Sequence, residues 1–144
     1  MNEKFIQKVN QSKMKISQIS KQAGIPYTTV SELYHGKASI NKVSAETALK
    51  LSMLFECQVS DLLDEFSVLA GYTGKYKGFS FKWIENNCLN LYIKENGKES
   101  LIYHEDKIFI DDDYNLKKEL LTKVVIDAYE SKKKAESLLW EHTT

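Results

Sequence analysis

Four side chains able to exchange hydrogen bonds or methyl contacts with a base edge, Tyr27, Thr28, Ser31 and Glu32, follow the only proline of the chain, Pro26. At 100° per residue they share one face of a short helix, while Val30 and Leu33 take the other. Such a polar face, carried on a rod held down from behind, suits a major groove, which is wide enough to admit an α-helix. Holding that rod in place requires a second short helix crossing it steeply. A crossing of this kind needs a small residue at the contact, a glycine in the turn and apolar residues beneath. Ser20, Gly24, and the trio Ile25, Val30 and Leu33 fill those places in that order.

The elements around this pair are also short helices. Phe5, Ile6 and Val9 space a first helix ending near Ser12, and Ile16, Ile19, Ser20 and Ala23 a second, which Gly24 stops. The third runs from Tyr27 to Tyr34, with Gly36 placed for a left-handed cap. Ser44 is a good N-cap for a fourth helix, Ala45 to Phe55, and Ser60 for a fifth, Asp61 to about Phe66. After Gly74 the period changes to two: Phe79, Phe81 and Trp83 form one strand, and Leu89, Leu91 and Ile93 a second. Asn96-Gly97 signals a hairpin into a third strand with Leu101 and Tyr103, and Lys107 to Ile110 offers a fourth. Asp111, Asp112 and Asp113 close the sheet before a long helix, Leu116 to about Trp140, with Leu120, Val124 and Ala128 on its apolar face, joined by Leu121, Val125 and Ile126 nearby. The expected architecture is thus a five-helix domain over residues 1–65, a linker at 66–74, and an α+β domain at 75–144 of antiparallel sheet plus helix.

Composition agrees with a globular chain: 144 residues, 42% hydrophobic and 28% charged. No run approaches the roughly 20 apolar residues of a membrane span, and no secretory apolar core opens the chain, so a cytoplasmic protein is expected. Cys57 and Cys88 stand 31 positions apart, which excludes a disulfide scaffold and argues against structural zinc. The net charge of zero hides an asymmetry. Residues 1–60 hold eight lysines against four acids, net +4, and residues 61–144 hold twelve against sixteen, net −4. A basic N-terminal half is the weak footprint of a chain that meets phosphates, or simply a solvated surface. All 20 basic residues are lysine, so the commonest bidentate reader of guanine is absent.

Met14 to Lys37, MKISQISKQAGIPYTTVSELYHGK, closely resembles the phage-repressor/Cro-type helix-turn-helix family. So does the continuation through Ser44-Ala45-Glu46-Thr47-Ala48-Leu49-Lys50-Leu51 to Val59-Ser60-Asp61-Leu62-Leu63. The resemblance covers about residues 3–65. It implies a DNA-binding module whose base-reading positions fall on Tyr27, Thr28 and Glu32. Thr28 would donate, accept or lay its methyl on thymine, and Tyr27 would reach a phosphate, lie on a thymine methyl, or pack at the helix start. Glu32 would accept from a cytosine amino group or remain in solvent. The resemblance further implies phosphate contacts from Thr29, from Lys37, Ser39, Asn41 and Lys42 in the following loop, and from Ser17 at the second helix. Family members often open that second helix with glutamine; here Ile16 stands there.

Catalytic signals are missing. His35, His104 and His142 have no ligand spacing, the three aspartates lack the calcium-loop pattern, and no phosphate-loop, nucleophile-elbow or zinc-protease motif occurs. The sequence therefore implies no enzyme, cofactor or metal. The expectation is a homodimeric, sequence-specific repressor from a bacterium or phage, binding a palindrome on double-stranded DNA. The alternative is an antitoxin or mobile-element inhibitor whose residues 75–144 bind a protein partner. The aromatic strands are expected to pack against the C-terminal helix, with Tyr92 turned outward.

Overall fold

The computed structural model describes residues 1–69, 73–107 and 112–143, with side chains described as far as residue 139. The N-terminal part contains α1 (Glu3–Ser12), α2 (Ile16–Ala23), α3 (Tyr27–Tyr34) and α4 (Ala45–Phe55), with 3-10 turns at Ile40–Lys42 and Val59–Asp61. Five strands follow, β1 (Phe66–Leu69), β2 (Thr73–Tyr76), β3 (Phe79–Glu85), β4 (Leu89–Glu95) and β5 (Lys98–Glu105), and then α5 (Tyr114–Thr143). The strands form one antiparallel meander in chain order. The helical region, sheet and long helix match the expected architecture.

Local chemistry explains the boundaries. Gly24 ends α2 at φ 70°, and its N–H returns to Ser20 O. The Ser44 hydroxyl accepts the Thr47 N–H and caps α4. Asn96 and Gly97 both take positive φ, as a two-residue hairpin requires, and Lys77 and Gly78 do the same between β2 and β3.

Three expectations need correction. The fifth helical segment is only the turn Val59–Asp61; the residues after it do not continue as a helix, and Phe66 opens β1. Asp61 itself closes the turn by accepting the Gln58 N–H, and the Ser60 N–H donates to Glu119 instead of starting a helix. The segment read as a linker holds all of β1 and the start of β2. Its Phe66 ring lies 5.0 Å from Tyr76 and 5.8 Å from Phe81, inside the core. Gly74 belongs to this hairpin: a Cβ there would stand 2.2 Å from Ser67 O and 2.6 Å from Phe81 Cζ. The third correction concerns α5. Val124 and Ala128 are exposed, whereas Leu120, Leu121, Val125 and Ile126 pack on the core as expected, and the polar Lys118, Glu119, Thr122 and Lys123 are buried beside them. The proposed strand at Lys107 to Ile110 and the residue Asp111 fall, apart from the non-strand Lys107, outside the described residues.

One inner face of the sheet, with Phe66, Tyr76, Phe81, Trp83, Leu91 and Ile93, packs under α5. Polar groups on α5 find partners there. The Trp83 indole donates to Thr122 at 2.8 Å, and Lys118 pairs with Glu85 at 2.7 Å while lying over the Trp83 ring. Tyr92 sits on the outer face beside Lys82, as its register required.

Candidate nucleic-acid interface

Four buried apolar residues from α2, the turn and α3 form the support: Ile19, Ile25, Val30 and Leu33. The Ser20 hydroxyl donates to Ile25 O at 2.5 Å, tying the turn to α2 from within. With Val30 and Leu33 turned inward, the remaining face of α3 is left to water. Tyr27 is 57% exposed, Thr28 and Glu32 are exposed, and Thr29 and Ser31 are half-buried. Ser31 is the least available of them, since its hydroxyl and carbonyl both face His35 Nδ1.

The flanks supply positive charge. Ser17 is exposed on the first turn of α2 and shares a surface depression with Lys13, Lys15, Tyr27 and Tyr34. Lys13 and Lys15 escaped the sequence reading, although a lysine pair immediately before a helix N-terminus is a visible electrostatic signal. On the other side, Lys37 and Lys42 are exposed, and the half-buried Ser39 accepts the Asn41 N–H to form the 3-10 turn.

Asn41 departs from the set. It is only 9% exposed, its side-chain oxygen accepts the Glu65 N–H at 3.3 Å, and its carbonyl accepts from Lys123 Nζ. It fastens the loop to the body rather than standing out with Lys37 and Lys42. The cause is the register of the turn: Ile40 must enter the core, and the next residue follows it inward.

A residue outside the motif holds the whole arrangement. Asn2 is fully buried at φ 64°, and its amide donates to Leu33 O at 2.8 Å and Ala38 O at 2.7 Å. It thereby satisfies a carbonyl at the end of α3, where helices leave such groups orphaned. Nothing in the local pattern of residues 1–5 announces this, because every partner is more than 30 positions away.

The body braces the interface from behind. Lys123, 2% exposed, meets Tyr76 Oη at 3.1 Å and Asp127 at 2.8 Å as well as the Asn41 carbonyl. Burial raises the Asp127 carboxyl, yet Lys123, Lys77 and Tyr76 together outweigh it and hold the group below its ordinary range. Burial also pushes the Tyr76 hydroxyl far up, and the Asp127 charge adds to this. This cluster is a structural joint, and no group of acids, histidines or cysteines among the described residues could hold a metal ion. No described helix is long and apolar enough to cross a membrane.

No curated protein and no solved structure matches the chain. Residues 7–65 match the family model of the Cro/C1-type helix-turn-helix DNA-binding domain, which supports a DNA-binding transcription regulator.

Proposed function

We propose that the protein is a homodimeric repressor that reads a palindromic operator on double-stranded DNA through Tyr27, Thr28 and Glu32. The observation that carries this reading is the free outer face of α3. Those three side chains stay exposed, because the sheet and α5 make their main contacts with α4 and the turn Val59–Asp61. Thr28 reads a base edge, Tyr27 rests on a thymine methyl or a phosphate, and Glu32 accepts from a cytosine amino group. Ser17, Thr29, Ser39, Lys37 and Lys42 attach the phosphates on either side.

One such head covers too few base pairs for discrimination across a genome. Two heads on half-sites about 34–36 Å apart supply it. Attachment by lysine point charges, without any arginine, makes binding steeply dependent on salt.

The test is enrichment of duplexes from a random pool on the immobilised full chain. Fluorescence anisotropy of the winner against its scrambled version across a salt series then follows. Recovery of an inverted repeat with affinity falling as salt rises supports the reading. An unenriched pool with a flat salt response overturns it.

A further inference from the structure

Side chains alternate along each strand, so the sheet has a second face, opposite the one packed under α5. Leu69 and Leu101 on that outer face are 65% and 52% exposed. The register sets its residues in rows across the strands. One row runs through Lys75, Ser80, Lys94 and Glu99, on β2 to β5. The next runs through Leu69, Thr73, Lys82 and Tyr92, on β1 to β4. Both rows line a single cavity of about 260 Å³. That volume is at the small end of ligand pockets and holds one molecule.

The two rows differ in chemistry. Lys75 and Lys94 are exposed, and neither has an ion pair among the described residues. Glu99, the acid in the cavity wall, is held by Lys82 at 2.9 Å, so those two charges cancel. Two positive charges remain, on the strands that flank Ser80. Their backbones stand two strand spacings apart, about 10 Å, and extended lysine side chains reach one anion from both sides. The second row is apolar where it meets the cavity. Thr73 spends its hydroxyl on Leu69 O, and the Lys82 ammonium lies over the Tyr92 ring. A trough results, with an aliphatic wall at Leu69 and an aromatic one at Tyr92, about 7 Å along the strands from the free lysines.

We propose that this cavity binds a phosphate monoester carrying a flat ring, a molecule of the size and chemistry of a nucleoside monophosphate. Two free ammonium groups and a serine hydroxyl suit a dianion, whereas a carboxylate would leave one charge unmet. The ring lies in the trough against Tyr92, and the spacing of the rows is one that a single sugar spans. A single-stranded nucleic acid fits less well. Such platforms stack successive bases on several aromatics, and Tyr92 is the one Phe, Tyr or Trp on this face among the described residues. Residues 61–144 carry net −4, so the gathering of free lysines here is local and does not follow from composition.

The site lies on the sheet and its test uses no duplex, so its failure is distinct from failure of the operator reading. Isothermal titration calorimetry of the full chain takes the four nucleoside 5′-monophosphates and phenyl phosphate, then the bare nucleosides and inorganic phosphate. At least one ring-bearing phosphate is expected to bind with a dissociation constant below about 100 micromolar. Removing either its ring or its phosphate should weaken binding at least ~30-fold. Lys75→Gln and Lys94→Gln should each weaken it ~10-fold, whereas Lys98→Gln, outside the cavity, leaves it unchanged. All three lysines are exposed, and far-UV circular dichroism with a urea midpoint confirms that each variant folds. Preference for one nucleotide, or equal binding of phenyl phosphate, supports the proposal and tells a nucleotide from a simpler aryl phosphate as the source. Absence of binding by every monoester at about 1 millimolar, or binding indifferent to Lys75 and Lys94, overturns it. A short oligothymidylate that needs these lysines and binds more tightly than every monoester overturns it in favour of a single-stranded nucleic acid.

Discussion

The side-chain oxygen of Asn2 accepts the backbone N–H of Ile40 at 2.8 Å, across 38 positions of chain. The same carboxamide donates to Leu33 O and Ala38 O, so one side chain sets the distance between the end of α3 and the loop that carries Lys37 and Lys42. Asn2 thus determines where the proposed base-reading and phosphate-binding groups stand relative to one another.

Replacing Asn2 by alanine removes two buried hydrogen bonds and one partly buried one, worth about 1 kcal/mol each, and takes the Ile40 N–H and the Ala38 carbonyl from their partner. We expect a loss of roughly 3 kcal/mol in urea unfolding. Asn2→Gly tolerates the positive φ but lacks the carboxamide, so it must lose nearly as much if the hydrogen bonds, and not the backbone conformation, are what matter.

Base contacts and phosphate contacts fail differently. Thr28→Ala should relax preference at one operator position, with about 1–3 kcal/mol of discrimination lost there and the salt slope unchanged. Lys37→Gln should weaken all duplexes alike and reduce the salt slope by about 1. Anisotropy titrations on matched and single-substituted duplexes separate the two patterns.

Glu119 is buried against the Ser60 N–H, and burial raises its pKa despite that hydrogen bond. The folded chain therefore holds the proton more tightly than the unfolded one. Stability from this group is complete below the ordinary carboxylate range and is lost as pH rises through the raised value. Glu119→Gln keeps the acceptor oxygen without the charge. Its urea midpoint should exceed that of the wild type at pH 8, with the gap closing near pH 4.

Asp127 has the opposite sign. Its pKa is depressed, so its contribution is present above the carboxylate range and vanishes as pH falls through the folded value. Asp127→Asn leaves Lys123 charged in the core beside a weaker partner, at a cost of roughly 3 kcal/mol at pH 7. The difference from wild type should shrink under acid conditions, which a pH series of thermal unfolding curves detects.

The helical half was legible because its determinants are local. Gly24, Ser44 and the three- and four-residue spacing of Ile19, Ala23, Val30 and Leu33 each act within one turn of chain. The exposed face of α3 follows from the same spacing. Asn2 and Asn41 were opaque for the converse reason, since their roles depend on partners brought near only by folding. The hairpin of β1 and β2 was hidden by its short strands, four residues each. The phase of α5 misled because apolar residues occur nearly all round it, so hydropathy alone does not say which side meets the sheet. The sheet chose the side whose polar groups could reach Trp83, Glu85 and the Ser60 N–H.

The ammonium of Lys4 donates to the carbonyls of Ser60, Leu63 and Phe66, clamping the joint where the helical part passes into the sheet. With no slack at that joint, each reading head travels as a fixed arm on the molecule. In the proposed dimer, two such arms would address the duplex at a single span and a single rotational phase. Lengthening the spacer of an operator by about five base pairs turns one half-site to the far side of the double helix, and a jointed protein would swing to follow it. A stiff one releases the DNA instead.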